Sequence, residues 1–122
     1  MLDHSTLQPW LTEAEIRHGC EIALKYGTAS VCARPCDVPI LAEMLHGSDV
    51  KVCTVIGFPH GTHESAIKLA EAQLALAEGC EELDMVLNIG KLKAGDYDYV
   101  GNEIRLIANA AHEAGAILKS YS

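Results

Sequence analysis

Val50-Lys51-Val52-Cys53-Thr54-Val55-Ile56 runs straight into Gly57-Phe58-Pro59-His60-Gly61, and the reading of this stretch decides the fold. The β-branched residues of 50–56 suit a pleated backbone, so this segment is predicted as a strand. Two glycines and a proline within 57–61 break any regular element, so a loop follows. Beyond the loop, Thr62 is placed to cap a helix. In that helix Ile67, Ala70, Leu74 and Ala77 recur at helical spacing along one apolar face. Glu64 and Lys68 stand i,i+4 on it as a favourable pair. Gly79 ends the helix. Strand, loop and helix make one βα unit.

The same unit recurs on both sides. Towards the N-terminus, Leu2 to Leu7 reads as a short strand. Thr12 and Glu15 then form a capping box, followed by Ile16, Cys20, Ala23 and Leu24 at helical spacing and Gly27 as a C-cap. Ala29 to Ala33 is a second strand. Pro35, Asp37 and Pro39 mark the start of a helix that continues through Leu41, Ala42 and Leu45 to Gly47. Towards the C-terminus, Glu82 to Leu87 is a fourth strand, and Lys91 to Asp98 reads as a loop. Val100, Ile104, Ile107, Ala108 and Ala111 line a fourth helix ending at Gly115, after which Ile117-Leu118 opens a fifth strand. Successive βα units with short connections, no linker and no fixed-period repeat define an α/β chain with parallel strands. A small doubly wound sheet and part of a (β/α)8 barrel both satisfy this pattern.

Composition removes several other classes. Of the 122 residues 49% are hydrophobic and 21% charged, a globular balance rather than a disordered one. With nine Lys and Arg against seventeen Asp and Glu, the formal net charge is −8, which argues against nucleic acid as a partner. No apolar run approaches the roughly 20 residues of a membrane helix. Met1-Leu2-Asp3-His4 has neither a basic nor a long apolar segment, so no secretory signal is expected and a cytoplasmic protein is. Five cysteines, Cys20, Cys32, Cys36, Cys53 and Cys80, are an odd number in such a chain, and a disulfide framework is not expected.

Alternation along the strands singles out the polar residues. In the fourth strand Asp84, Val86 and Asn88 share one face, and Leu83, Met85 and Leu87 the other. A carboxylate amid apolar residues is costly to bury unless it is paired, hydrogen-bonded or protonated. Asp84 therefore reads either as a bridge between neighbouring strands or as a general acid/base whose protonation is tuned by its surroundings. Asp3 and Ser5 likewise share a face of the first strand, and Ser30 and Cys32 a face of the second. Polar and small residues thus collect on one side of the sheet. A doubly wound sheet, covered by helices on both faces, would place apolar residues there.

Other candidates carry less. The 57–61 loop lies where ligands bind parallel α/β folds, yet it is neither G-x-G-x-x-G nor a Walker loop, and a rigid turn shaped by Gly and Pro is the favoured reading. His60 and His63 lack a third donor, so no metal is expected. Cys32 and Cys36 are spaced as neither a redox nor a zinc pair, and no His–Asp partner accompanies Cys32, which reads as a passive pocket thiol.

Four strings together resemble deoxyribose-phosphate aldolase: Leu2-Asp3-His4-Ser5-Thr6-Leu7-Gln8-Pro9, Ala29-Ser30-Val31-Cys32, the 50–61 stretch, and Leu83-Asp84-Met85-Val86-Leu87-Asn88-Ile89-Gly90. The resemblance implies parallel (β/α) units of a TIM barrel, here an N-terminal half-barrel of about four to five strands, as one partial domain over residues 1–122. It implies a class I aldolase that cleaves 2-deoxy-D-ribose 5-phosphate reversibly to acetaldehyde and glyceraldehyde 3-phosphate through a lysine Schiff base, without metal or cofactor. Asp84 matches the family's fourth-strand proton-relay aspartate, and Asp3, Ser5 and Cys32 match substrate-pocket positions. Ser5 replaces the usual Thr and keeps its hydroxyl, while Gln8 stands where many members carry Lys.

Full barrels of this fold run to about 250 residues. The Schiff-base lysine of the family lies on the sixth strand and its partner lysine on the seventh, so Lys25, Lys51, Lys68, Lys91, Lys93 and Lys119 match neither. The expectation is a truncated chain whose nucleophile comes from residues absent here, associated with the missing half or with a second copy as a homo-oligomer. The alternatives are an inactive homologue serving as a folded interaction fragment, and a flavodoxin-like binding module.

Overall fold

The computed structural model describes residues 4–121; Asp3 therefore lies outside the described residues. Five strands, β1 (His4–Thr6), β2 (Ser30–Ala33), β3 (Lys51–Ile56), β4 (Glu82–Val86) and β5 (Ile117–Tyr121), form one sheet in the order β1-β2-β3-β4-β5. Every neighbouring pair is parallel. Helices α1 (Glu13–Tyr26), α2 (Val38–Leu45), α3 (Ser65–Ala77), α4 (Ile89–Lys93) and α5 (Tyr97–Glu113) fill the connections, and a 3-10 turn at Pro35–Asp37 leads into α2.

This order settles the topology. Parallel crossovers are right-handed, so strands taken in sequence order receive all their helices on one face. A doubly wound sheet needs a reversal of strand order to cover its second face, and the described strands contain none. The arrangement is a sector of a (β/α)8 barrel.

Local signals explain most of the elements. Thr12 Oγ1 accepts from the Glu15 backbone N–H at 3.2 Å while the Thr12 N–H donates to Glu15 Oε1 at 3.3 Å, completing the capping box of α1. Gly27 ends α1 in the left-handed conformation, φ 64°. On the helix side of the sheet, Val31, Val52, Ile56, Leu83 and Met85 pack with Ile16, Leu41, Ala72, Ile107 and Ala111 into the main core. Two buried hydroxyls on that side are satisfied along the sheet, Thr6 Oγ1 donating to Cys32 O and Thr54 Oγ1 to Ala33 O.

Four expectations are corrected. The 91–98 segment is not all loop: Asn88 Oδ1 accepts from the Lys91 N–H at 3.1 Å and starts α4. In α3, Thr62 is not the cap; the helix starts at Ser65 after Glu64, and the expected apolar face points outward, with Ile67 57% and Leu74 62% exposed. The inward face is Lys68, Ala72 and Ala75. Periodicity treats a lysine as solvent-facing, whereas Lys68 is fully buried because its charge is matched inside. Its Nζ lies 2.6 Å from Glu103 Oε1 of α5 and donates to Val86 O at 3.0 Å, so its partner is Glu103 rather than Glu64. Ser65 Oγ donates to the other Glu103 oxygen at 2.6 Å.

The same lysine stem fixes the loop after β3. Gly57 has φ 69°, and a Cβ there would lie 2.7 Å from Lys68 Cε. Gly61 has φ 71°, and its Cβ would collide with the Leu87 carbonyl, so the loop lies directly against the end of β4. Among the described residues, no helix is long and apolar enough to cross a membrane.

Removing one partner of a buried pair leaves an uncompensated charge. Lys68→Ala is expected to cost about 3–5 kcal/mol, whereas Lys68→Met combined with Glu103→Leu should recover most of it. Urea unfolding with an unchanged m-value checks both.

Candidate active site

The face of the sheet away from the helices carries the polar set. Cα partners across parallel strands point to the same side, so the register places Ser5 beside Cys32, Cys32 beside Cys53, Val55 beside Asp84, and Asp84 beside Lys119. Cys53 and Val55 are almost fully buried and Cys32 is 8% exposed, forming a small apolar floor with Leu7. Asp84 rises from this floor, half-buried, with Oδ1 shielded from solvent. The Cys32 thiol donates towards Asp84 Oδ2 at 4.0 Å, so side chains of β2 and β4 meet across β3. Such layers drawn from alternate strands are how barrel interiors fill. At the rim, Lys119 Nζ lies 3.4 Å from Glu82 Oε2.

The surroundings act on the ionisable groups in one direction. Contact with the Cys32 thiol, and then burial, pushes the Cys53 thiol far above its usual range. Burial pushes the Tyr121 phenol up, and the Asp84 charge adds to it. Outside this face, burial pushes the Cys80 thiol up to about 12.

Of the residues singled out from sequence, Asp84 and Cys32 come together, and Ser5 lies in register with Cys32 on the same side, exposed. Cys53, Lys119 and Tyr121 also belong to this face and were not singled out. Strand parity places Cys53 with Val55, but a lone Cys in an apolar run has no polar signature. Lys119 and Tyr121 lie in a strand of which sequence marks only Ile117-Leu118. His60 and His63 stay in the loop and the segment before α3, and neither belongs to a group of three metal-ligating side chains among the described residues.

The sheet order and the inward carboxylate define a sector of a (β/α)8 barrel with polar side chains on the face away from the helices. The chain matches the sequence model of the DeoC/LacD family aldolases over residues 1–118, and it belongs to that family. It is 49% identical to the deoxyribose-phosphate aldolase of Rhodopirellula baltica over 98% of its own length and 49% of the relative's. With the deoxyribose-phosphate aldolase of Treponema denticola the identity is 46%, over 97% of this chain and 55% of that one. Among solved structures, the tetrameric deoxyribose phosphate aldolase of Aeropyrum pernix superposes with a TM-score of 0.88 at 33% identity, covering 98% of this chain and 49% of that chain. The chain spans about half the length of the curated relatives it matches.

A thiol whose folded pKa is raised contributes stability that is full below the ordinary value and is lost as pH climbs through the folded one. For Cys80 that window runs from 9.0 to about 12. The unfolding midpoint should therefore fall across this window, and fall less steeply in Cys80→Ala. Denaturation curves along a pH series measure the difference in slope.

Proposed function

We propose that residues 1–122 form one partial (β/α)8 domain, the N-terminal half of a deoxyribose-phosphate aldolase. The reaction is reversible cleavage of 2-deoxy-D-ribose 5-phosphate to acetaldehyde and glyceraldehyde 3-phosphate. The observation that carries this reading is Asp84: a half-buried carboxylate in mid-strand, on the side away from the helices, 4.0 Å from Cys32. In this reading the protein is a cytoplasmic enzyme of deoxyribonucleotide breakdown.

A lysine amine condenses with the substrate carbonyl and expels water, and the resulting iminium accepts the electron pair of the breaking C–C bond. Asp84 relays protons between water, a second lysine and the reacting carbons, which requires a carboxylate whose two protonation states lie close in energy. Cys32 and Ser5 line the pocket, with Cys32 and the floor beneath it excluding water from one side.

The nucleophile is assigned to residues outside this sequence. Lys68 is buried among the helices and committed to Glu103. Lys51 pairs with Glu81 at the base of β3, and Lys119 with Glu82. Lys25, Lys91 and Lys93 sit on helices. Closure of the polar face by the remaining half, or by a second copy, follows from the two open edges at β1 and β5, where Ile117 and Tyr121 are exposed.

Borohydride reduction in the presence of acetaldehyde tests the assignment. The 122-residue chain is expected to give no stable adduct and no turnover. In a polypeptide carrying the complete barrel, Asp84→Asn should lower kcat by roughly 10²- to 10⁴-fold while the lysine adduct still forms. Full turnover in that variant would remove Asp84 from the reaction. An adduct on the short chain would reassign the nucleophile. Sedimentation of the short chain should show association, and a monomer with a cooperative melt would contradict the open-edge argument.

A further inference from the structure

The inner face brings together three donor groups that aldol chemistry does not use as a set. Cys32 Sγ of β2, Cys53 Sγ of β3 and a carboxylate oxygen of Asp84 of β4 all lie within 4.8 Å of one another, and Cys32 Sγ is 4.0 Å from Asp84 Oδ2. A four-coordinate zinc-type ion, with metal–sulfur bonds of about 2.3 Å and metal–oxygen bonds of about 2.1 Å, needs its thiolates about 3.8 Å apart and each about 3.5 Å from the oxygen. All three ligands stand on neighbouring strands of one sheet, so the backbone that holds them is already fixed by the register.

We propose that Cys32, Cys53 and Asp84 form a binding site for a single soft divalent cation of the Zn²⁺ and Cd²⁺ class. Two thiolates select such ions over Mg²⁺ or Ca²⁺, which favour oxygen-only cages. Binding forms two metal–sulfur bonds and one metal–oxygen bond, and the two displaced thiol protons pass to solvent. The three anionic ligands exceed the charge of the ion by one, and Lys119, in register with Asp84, lies on the same face beside its partner Glu82. The fourth coordination position opens towards the barrel interior, free for water. The remaining thiols form no such group: Cys20 and Cys80 lie in the core on the helix side, and Cys36 is exposed on the turn before α2. The site rests on this geometry and not on the aldolase reading, so failure of that reading leaves it standing.

Titration of the 122-residue protein with Cd²⁺ alone, followed by thiolate-to-metal charge-transfer absorption, tests it. One ion per chain with a two-thiolate band is expected. Cys53→Ser should halve the band and weaken binding by at least roughly 100-fold, Asp84→Asn should keep the band and weaken binding at least about tenfold, and Cys36→Ser should change neither. Alkylation footprinting of the unaltered protein needs no variant: Cd²⁺ should slow labelling of Cys32 and Cys53 and leave Cys36 untouched. The proposal is overturned if saturation is not one to one, if Cys36→Ser removes the band, or if Cys32 and Cys53 label equally fast with and without the ion.

Discussion

Parallel strands taken in sequence order leave their crossover helices no choice of side. Each right-handed connection lays its helix on the same face, so α1, α2, α3 and α5 cover one surface of the sheet and strand side chains line the other. The two surfaces consequently obey different rules. The helix side demands apolar volume, which Val31, Val52, Ile56, Leu83 and Met85 supply. The inner side can hold Ser30, Cys32, Asp84 and Lys119. Under a second helix layer Asp84 would carry a desolvation cost of several kcal/mol, so the strand order and the position of that carboxylate require each other.

The buried Lys68–Glu103 pair ties this division together. Lys68 comes from α3, Glu103 from α5, and the lysine's second hydrogen bond goes to Val86 O, two residues beyond Asp84. Its stem also fills the space that a side chain at Gly57 would need. One charged network therefore joins both helices flanking β4, the end of β4 itself, and the glycine loop after β3. A purely apolar contact could supply comparable stability, but it would not fix the direction of the Val86 carbonyl or close on Ser65. Strand β4 is held from behind by a charge that never reaches the inner face.

Strand parity made much of this legible. Alternation alone put Asp84 on the face opposite Leu83 and Met85, and Ser30 with Cys32 opposite Val31, because a period of two leaves no ambiguity once a strand is recognised. Helix faces were less secure. Ile67, Ala70, Leu74 and Ala77 recur at helical spacing, yet Ile67 and Leu74 face outward. Pattern reading counts Lys68 as polar; its burial depends on Glu103, a residue two elements away that no local window contains. The short α4 has only a single cap, Asn88, as its local signal and no apolar stripe. Between a doubly wound sheet and a barrel, local pattern had no means of choosing, since the two differ only in how strands are ordered in space.

Site composition in such a sheet is hidden from spacing motifs for the same reason. Cys32 lies close in sequence to Cys36, and that pair suggests neither redox nor zinc chemistry; the register instead places Cys32 beside Cys53, one βα unit later. Asp84 joins them from a further unit on. Each unit contributes one residue, so in sequence the set looks like isolated polar or sulfur-bearing residues at matching strand positions. Where three such residues fall at compatible heights on adjacent strands, their side chains must converge, because the concave face narrows towards its axis. Convergence brings a carboxylate near soft donors without any local motif, and the chemistry open to that carboxylate is set by which neighbours the barrel geometry delivers to it.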